Sequence, residues 1–186
     1  MLAGLFALTT LAIAAGVPSP ITTTPEETAK LRLGEIVVRD NGKGETVGIA
    51  DLQSTPKRTL EELLNLQPRV DEVRPIQSIR YIERSPNRII AEWKAGMLGF
   101  SARFHIWYET DWEQGYTRFG VDTTRHNDID HASGSYQVYE HNGGTRLVYR
   151  NDADPESKLP SWARELLTSR SMRQQIAGIK ARAEQP

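Results

Sequence analysis

Three tyrosines in the second half of the chain fall in the same phase of a strand-like alternation. In SARFHIWYETD, Ala102, Phe104, Ile106 and Tyr108 share one face, while Arg103, His105, Trp107 and Glu109 share the other. In SYQVYE, Tyr136 and Val138 oppose Gln137 and Tyr139; in TRLVYRN, Leu147 and Tyr149 oppose Arg146, Val148 and Arg150. RIIAEWK places Ile89, Ala91 and Trp93 together, and Phe119 holds the apolar phase of its own segment. Successive side chains of a strand point to opposite faces, so these residues converge on one apolar surface tipped with phenol hydroxyls and an indole N–H. Apolar walls with a few polar tips suit a concave site for a hydrophobic ligand. The same alternation also builds an ordinary packed core. For acid–base chemistry the surface is poor. It carries no carboxylate or histidine, and a phenol with an ordinary pKa near ~10 needs strong tuning before it serves as a base.

Other chemistry is sparse. His126, Asp128, Asp130 and His131 cluster in RHNDIDH, which has metal-ligand residue types, but a polar loop of this kind reads as solvated, and no metal site is expected. His105 falls on the outward phase. Cysteine is absent, which removes disulfides, thiolate ligands, a cysteine nucleophile and a lipid attachment point together. There is no serine nucleophile elbow, phosphate-cradling glycine loop or dinucleotide fingerprint. No catalytic residue and no cofactor is called for.

These faces need elements to hold them. EIVVRD (Glu35 to Asp40) and TVGIADLQ (Thr46 to Gln53) flank the turn-rich NGKG and read as a hairpin. Ser54 or Thr55 caps a short helix with Pro56 in its first turn and Leu60, Leu63 and Leu64 as its stripe; Pro68 ends it. Six strands follow: Ile76 to Glu83, Arg88 to Lys94, Ser101 to Asp111, Gly115 to Thr124, His131 to His141 and Thr145 to Asn151. Their short, turn-rich connections predict an antiparallel meander. Leu159, Trp162, Leu166, Met172, Ile176 and Ile179 then recur on one side of a helix from Leu159 to Ala183. Most arginines of that helix fall away from the stripe and read as a solvated face. Arg173 borders the stripe and is placed to offer a cation to a ligand's polar end.

The 186 residues are 38% hydrophobic and 25% charged with a net charge of −1, an ordinary composition for one domain. So balanced a charge provides no field to draw the chain to nucleic acid or an anionic membrane. MLAGLFALTTLAIAAG has an apolar run of secretory length, too short for a bilayer span, with Ala12-Ile13-Ala14 as a small-x-small site. Residues 1–15 are expected to be a signal peptide or N-terminal anchor, with the protein exported to the periplasm or secreted, or held at the membrane. Residues 16–33, Pro- and Thr-rich at their start, are expected to be a linker, and 34–186 the domain.

Several residues after the meander make the pattern more specific. Gly134-Ser135-Tyr136-Gln137-Val138 and Gly144-Thr145-Arg146-Leu147-Val148-Tyr149 are followed by Asp154-Pro155 and Leu159-Pro160-Ser161-Trp162 leading into the last helix. With the element order, they resemble the START-like superfamily, also called SRPBCC or helix-grip proteins, near its coenzyme Q-binding and polyketide cyclase/dehydrase families. The resemblance runs from about Gly34 to Glu184 and speaks to fold more than to activity; the first helix lacks the W-x-x-L pattern common in the family. It implies an α+β fold in which a curved antiparallel sheet of about seven strands wraps the long C-terminal helix around a cavity. The expected lining is Trp93, Phe104, Ile106, Tyr108, Phe119, Tyr136, Tyr149, Leu166 and Met172. The implied function is binding or carriage of a lipid or other hydrophobic small molecule. The alternative is a polyketide cyclase or aromatase-like enzyme using the same cavity, and a chaperone activator is a weaker third. The implied partner is the hydrophobic ligand, with room for transient membrane contact and none for nucleic acid. Nothing in the sequence specifies an oligomeric state.

Overall fold

A computed structural model describes residues 16–40, 45–97, 100–152 and 169–185. Helix α1 (Pro25–Arg32) precedes the hairpin β1 (Val37–Asp40) and β2 (Glu45–Leu52). Helices α2 (Pro56–Leu64) and α3 (Arg69–Glu72) lead to β3 (Ile76–Arg84), β4 (Arg88–Met97), β5 (Phe100–Asp111), β6 (Tyr116–Val121), β7 (Ser133–His141) and β8 (Gly144–Asp152). Helix α4 (Ser169–Ala183) closes the described chain. The first part of the expected long helix, with Leu159, Trp162 and Leu166, lies outside the described residues, as does Asp154-Pro155.

All eight strands form one antiparallel sheet in the order β1-β2-β8-β7-β6-β5-β4-β3. The meander is as expected from the short turns. The hairpin β1–β2 joins it at β8, so α2 and α3 must carry the chain from β2 to β3 at the opposite edge. That crossing brings them over the same face of the sheet as α4. Thr55 caps α2 by accepting from the Arg58 N–H at 3.2 Å, and Leu60, Leu63 and Leu64 turn inward. From α4, Met172, Ile176, Ile179 and Ala183 meet these leucines and the inner residues of the sheet in one core. The close approach of β2 and α4 depends on Gly48: a Cβ there would lie 2.4 Å from Ile176 Cδ1 and 2.8 Å from Met172 Sδ.

The segment expected as a linker is attached to the domain. Pro18 O accepts from Gln137 Nε2 of β7 at 2.6 Å, and Thr22 O accepts from Arg39 Nη2 of β1 at 2.7 Å. Thr24-Pro25-Glu26-Glu27 then starts α1 with a capping box: the Thr24 hydroxyl accepts from Glu27 N–H, and the Glu27 carboxylate accepts from Thr24 N–H. Leu31 packs with Val37 and Ile49 in a second, small core on the face of β1–β2 that points away from α4. The Pro- and Thr-rich composition that suggested a linker is thus partly the N-terminal signature of a helix.

Candidate functional site: an aromatic cavity around a buried arginine

The register of the meander sets aromatic residues directly opposite one another. Trp93 pairs with Phe104, Tyr108 with Phe119, and Tyr136 with Tyr149. Cross-strand neighbours on one face are close enough for their side chains to pack. Trp93 and Phe104 stack with centroids 6.3 Å apart, Tyr136 and Tyr149 stack at 4.4 Å, and Phe119 lies 5.4 Å from Tyr136 and 5.9 Å from Tyr108. These residues, with Ile106, wall a cavity of about 80 Å³.

Seven of the nine side chains expected at the site therefore meet in one cavity. Leu166 is outside the described residues. Met172 is buried but does not reach the cavity; it fills the space over Gly48 between α4 and β2. Strand phase located the first seven, whereas the helical stripe could not say which of its members faced the cavity and which faced β2. Gln175, one helical step along, is the α4 residue that lines it, together with Asn151 of β8.

The loop between β6 and β7 supplies two more wall residues, Ile129 and Ala132. Its polar residues explain how. Strand β6 ends at Val121, leaving the first residues of β5 without a strand partner on that side, and the loop replaces it. Asn127 Oδ1 accepts from His105 N–H at 2.7 Å, and Asp128 Oδ2 accepts from Arg103 N–H at 2.8 Å. RHNDIDH is therefore a side-chain substitute for a strand that turns Ile129 inward. His105 lies on the outer phase, as expected, yet it is only 8% exposed because Asn127 and Glu92 flank it.

A further residue changes the chemistry of the cavity. Arg69, the first residue of α3, lines it and is 1% exposed. Its guanidinium carbon sits 5.9 Å from the centroids of both Trp93 and Tyr136, within cation–π range. Nη2 donates to Leu63 O at 2.7 Å, a carbonyl in the last turn of α2 that has no partner within that helix. Nε finds no hydrogen-bond partner among the described residues, and neither does Trp93 Nε1 nearby. Among the described residues no carboxylate lies within ion-pair distance of Arg69. Burial works against its charge, yet a guanidinium loses its proton so far above neutrality that Arg69 stays a cation.

Burial pushes the Tyr108 phenol well above its ordinary pKa, with Arg69 opposing only in part. Tyr149 moves the same way, by burial and by the neighbouring Tyr136. Both phenols are neutral at any physiological pH and act as hydrogen-bonding tips rather than bases.

Arg173, expected to offer a cation to a ligand, does not. It lies on the exposed side of α4 and donates to Ile36 O. The cavity's cation comes instead from Arg69, in a short helix after Pro68 that periodicity did not pick out. The four residues of α3 are too few to show a stripe, and one arginine in "QPRV" carries no signal of burial.

A curved eight-stranded antiparallel sheet against one C-terminal helix, with a cavity between them, defines the START-like (SRPBCC) helix-grip fold, and the chain has it. Solved structures agree. A STAR-related lipid transfer protein fragment from Xanthomonas axonopodis superposes with a TM-score of 0.61 at 14% identity, covering 81% of this chain and 93% of its own. An aromatase/cyclase from Streptomyces sp. R1128 gives a TM-score of 0.61 at 12% identity, with coverages of 80% and 94%. A START superfamily protein from Mycobacterium smegmatis gives 0.57 at 11%, with 75% and 97%. No family model and no curated protein matches the chain.

Proposed function

We propose that the protein binds and carries a hydrophobic small molecule in the cavity between sheet and α4, without converting it. The observation that carries this reading is the cavity wall itself: Trp93, Phe104, Tyr108, Phe119, Tyr136 and Tyr149 around about 80 Å³ of free space. Apolar area removed from water there contributes roughly 25 cal/mol per Å², enough to hold a ligand without any reaction. The cavity is small beside the ~300–1,000 Å³ of drug-sized sites. Its size favours a compact molecule, or one end of a longer one, over a whole two-chain lipid. Residues 1–15 support placing this binding outside the cytosol, which fractionation of host cells would test.

The solved structures of this fold include one named an aromatase/cyclase and one named a lipid transfer protein, so fold alone does not choose between conversion and carriage. The lining chemistry favours carriage. Among the described lining residues there is no carboxylate or histidine, and Tyr108 and Tyr149 have pKa values pushed away from proton transfer at neutral pH. The test is uptake of a neutral fluorescent probe, N-phenyl-1-naphthylamine, by the wild type and by Ala132→Leu. The added carbons of leucine fill the cavity, so probe affinity is expected to fall about tenfold, while the fold survives an overpacking cost of ~1–3 kcal/mol. A wild type that takes up no probe, or a probe indifferent to Ala132→Leu, refutes carriage in this cavity.

A further inference from the structure

The cavity holds a permanent cation with an unused donor, and that observation says more about the ligand than the apolar wall does. Arg69 is 1% exposed, with Nε–H unpartnered and no described carboxylate within ion-pair distance. The other buried arginine of the described fold has its acid, Arg146 meeting both oxygens of Asp51 at 2.7 and 2.8 Å, and half-buried Arg182 bonds Glu62 and Glu72. Closing the end of α2 through Leu63 O uses Nη2 only, and a neutral donor would serve that carbonyl equally well. Trp93 Nε1, beside the same guanidinium, is a second unpartnered donor buried in the same wall. Buried donors without acceptors are rare in native proteins and point to a group that arrives later.

Resting on the reading of the cavity as a hydrophobic-ligand site, we propose that the ligand is an acid: an apolar molecule whose carboxylate, or another compact oxyanion, is taken by Arg69 Nε and Trp93 Nε1. A carboxylate accepts such bonds and supplies the charge Arg69 lacks. The space is right for it. About 80 Å³ of free space walled by Arg69 and Trp93 takes a compact head group and the carbons behind it, as one end of a longer apolar molecule. The surrounding aromatic side chains then contact the carbons next to the head, and the neutral hydroxyls of the tyrosines donate to it without repelling it. The expected ligand class is therefore aryl or alkyl carboxylic acids, in preference to neutral sterols, quinones or esters.

The experiment is calorimetric titration of the full chain with 2-naphthoate and with methyl 2-naphthoate, the same apolar body without the charge. Wild type is expected to bind the acid at least about tenfold more tightly than the ester, the difference a charge-assisted hydrogen bond carries. Arg69→Met is expected to lower acid affinity about tenfold more than ester affinity, and Trp93→Phe to lower the acid preference by a smaller factor. Should Arg69→Met fail to fold, the wild-type ratio and Trp93→Phe decide the matter. Equal binding of acid and ester by the wild type, or an acid preference that survives in folded Arg69→Met, overturns the proposal while leaving a hydrophobic carrier. If neither compound binds and N-phenyl-1-naphthylamine is also refused, the carrier reading fails and this inference falls with it.

Discussion

Two arginines hold to the short helices α2 and α3, Arg69 from within α3 and Arg182 from α4, and they are partnered differently. Arg182, near the end of α4, lies at the seam with α2 and α3: Nε meets Glu62 Oε2 at 3.0 Å, Nη2 donates to Glu62 O at 3.1 Å, and Nη1 meets Glu72. Arg58 adds a second cation to Glu62 at 3.0 Å. Arg69, deeper and on the cavity side, has one carbonyl, two aromatic faces and an idle N–H. A low-dielectric interior penalises both charges, so the arginine supplied with acids belongs to the architecture. Among the described residues Arg69 is left without an acid, and that is the place our proposal gives to a ligand's carboxylate.

The sharpest way to break this contrast is at the seam. Arg182→Met leaves Glu72 without its cation and Glu62 with Arg58 alone, and is expected to cost about 3 kcal/mol of unfolding free energy in urea. A loss under about 1 kcal/mol would mean that the seam charges are solvated and the contrast is empty. Next comes Gly178→Ala. A Cβ at this α4 position would run into the Glu72 carboxylate, which must swing aside and give up its bond to Arg182, at about 2 kcal/mol by the same measurement.

Arg69→Met sharpens the comparison from the other side. Replacing a buried, unpaired charge by an apolar chain of similar length removes its desolvation cost and gives up one bond to Leu63 O. The expected result is a thermal midpoint unchanged or raised, by up to about 2 kcal/mol of stability. A clear loss would place Arg69 with Arg182 in the architecture.

The smallest effect is outside both regions, where α1 is pinned to β1. Arg39 holds Glu27 with bonds of 2.6 and 2.7 Å, and chiefly this bond, with help from Thr24, lowers the carboxyl to about 2. Because the folded value is depressed, its contribution is present above the unfolded carboxylate range near ~4.3 and is lost as pH falls from there towards 2. Arg39→Met is therefore expected to reduce the difference in stability between pH 7 and pH 3, by no more than about 1 kcal/mol for so solvated a pair. A pH difference identical to wild type would remove Glu27 from the account.

Alternation carried most of the sheet. Segments such as RIIAEWK and SARFHIWYETD declare their faces locally, because side-chain direction in a strand has a period of two whatever the rest of the chain does. Turn residues such as those in HNGG limited where strands could end, and hence the meander. From these alone, the chain order of the strands and the inward set Trp93, Phe104, Ile106, Tyr108, Phe119, Tyr136 and Tyr149 were legible, as was the capped helix after Thr55. The hairpin's place beside β8 was not, since strand partners separated by about a hundred residues leave no local trace. Nor was α1 read, although Thr24-Pro25-Glu26-Glu27 was a signal that composition obscured. Tertiary structure alone decided which α4 side chain faces the cavity, Gln175 rather than Met172, because a helix stripe is wide enough to touch two neighbours at once. It alone made Ile129 a wall residue within a polar loop. It alone buried Arg69, because burial of a charge is set by what crosses over it, and the crossing of α2 and α3 from β2 to the far edge of the sheet is a property of topology.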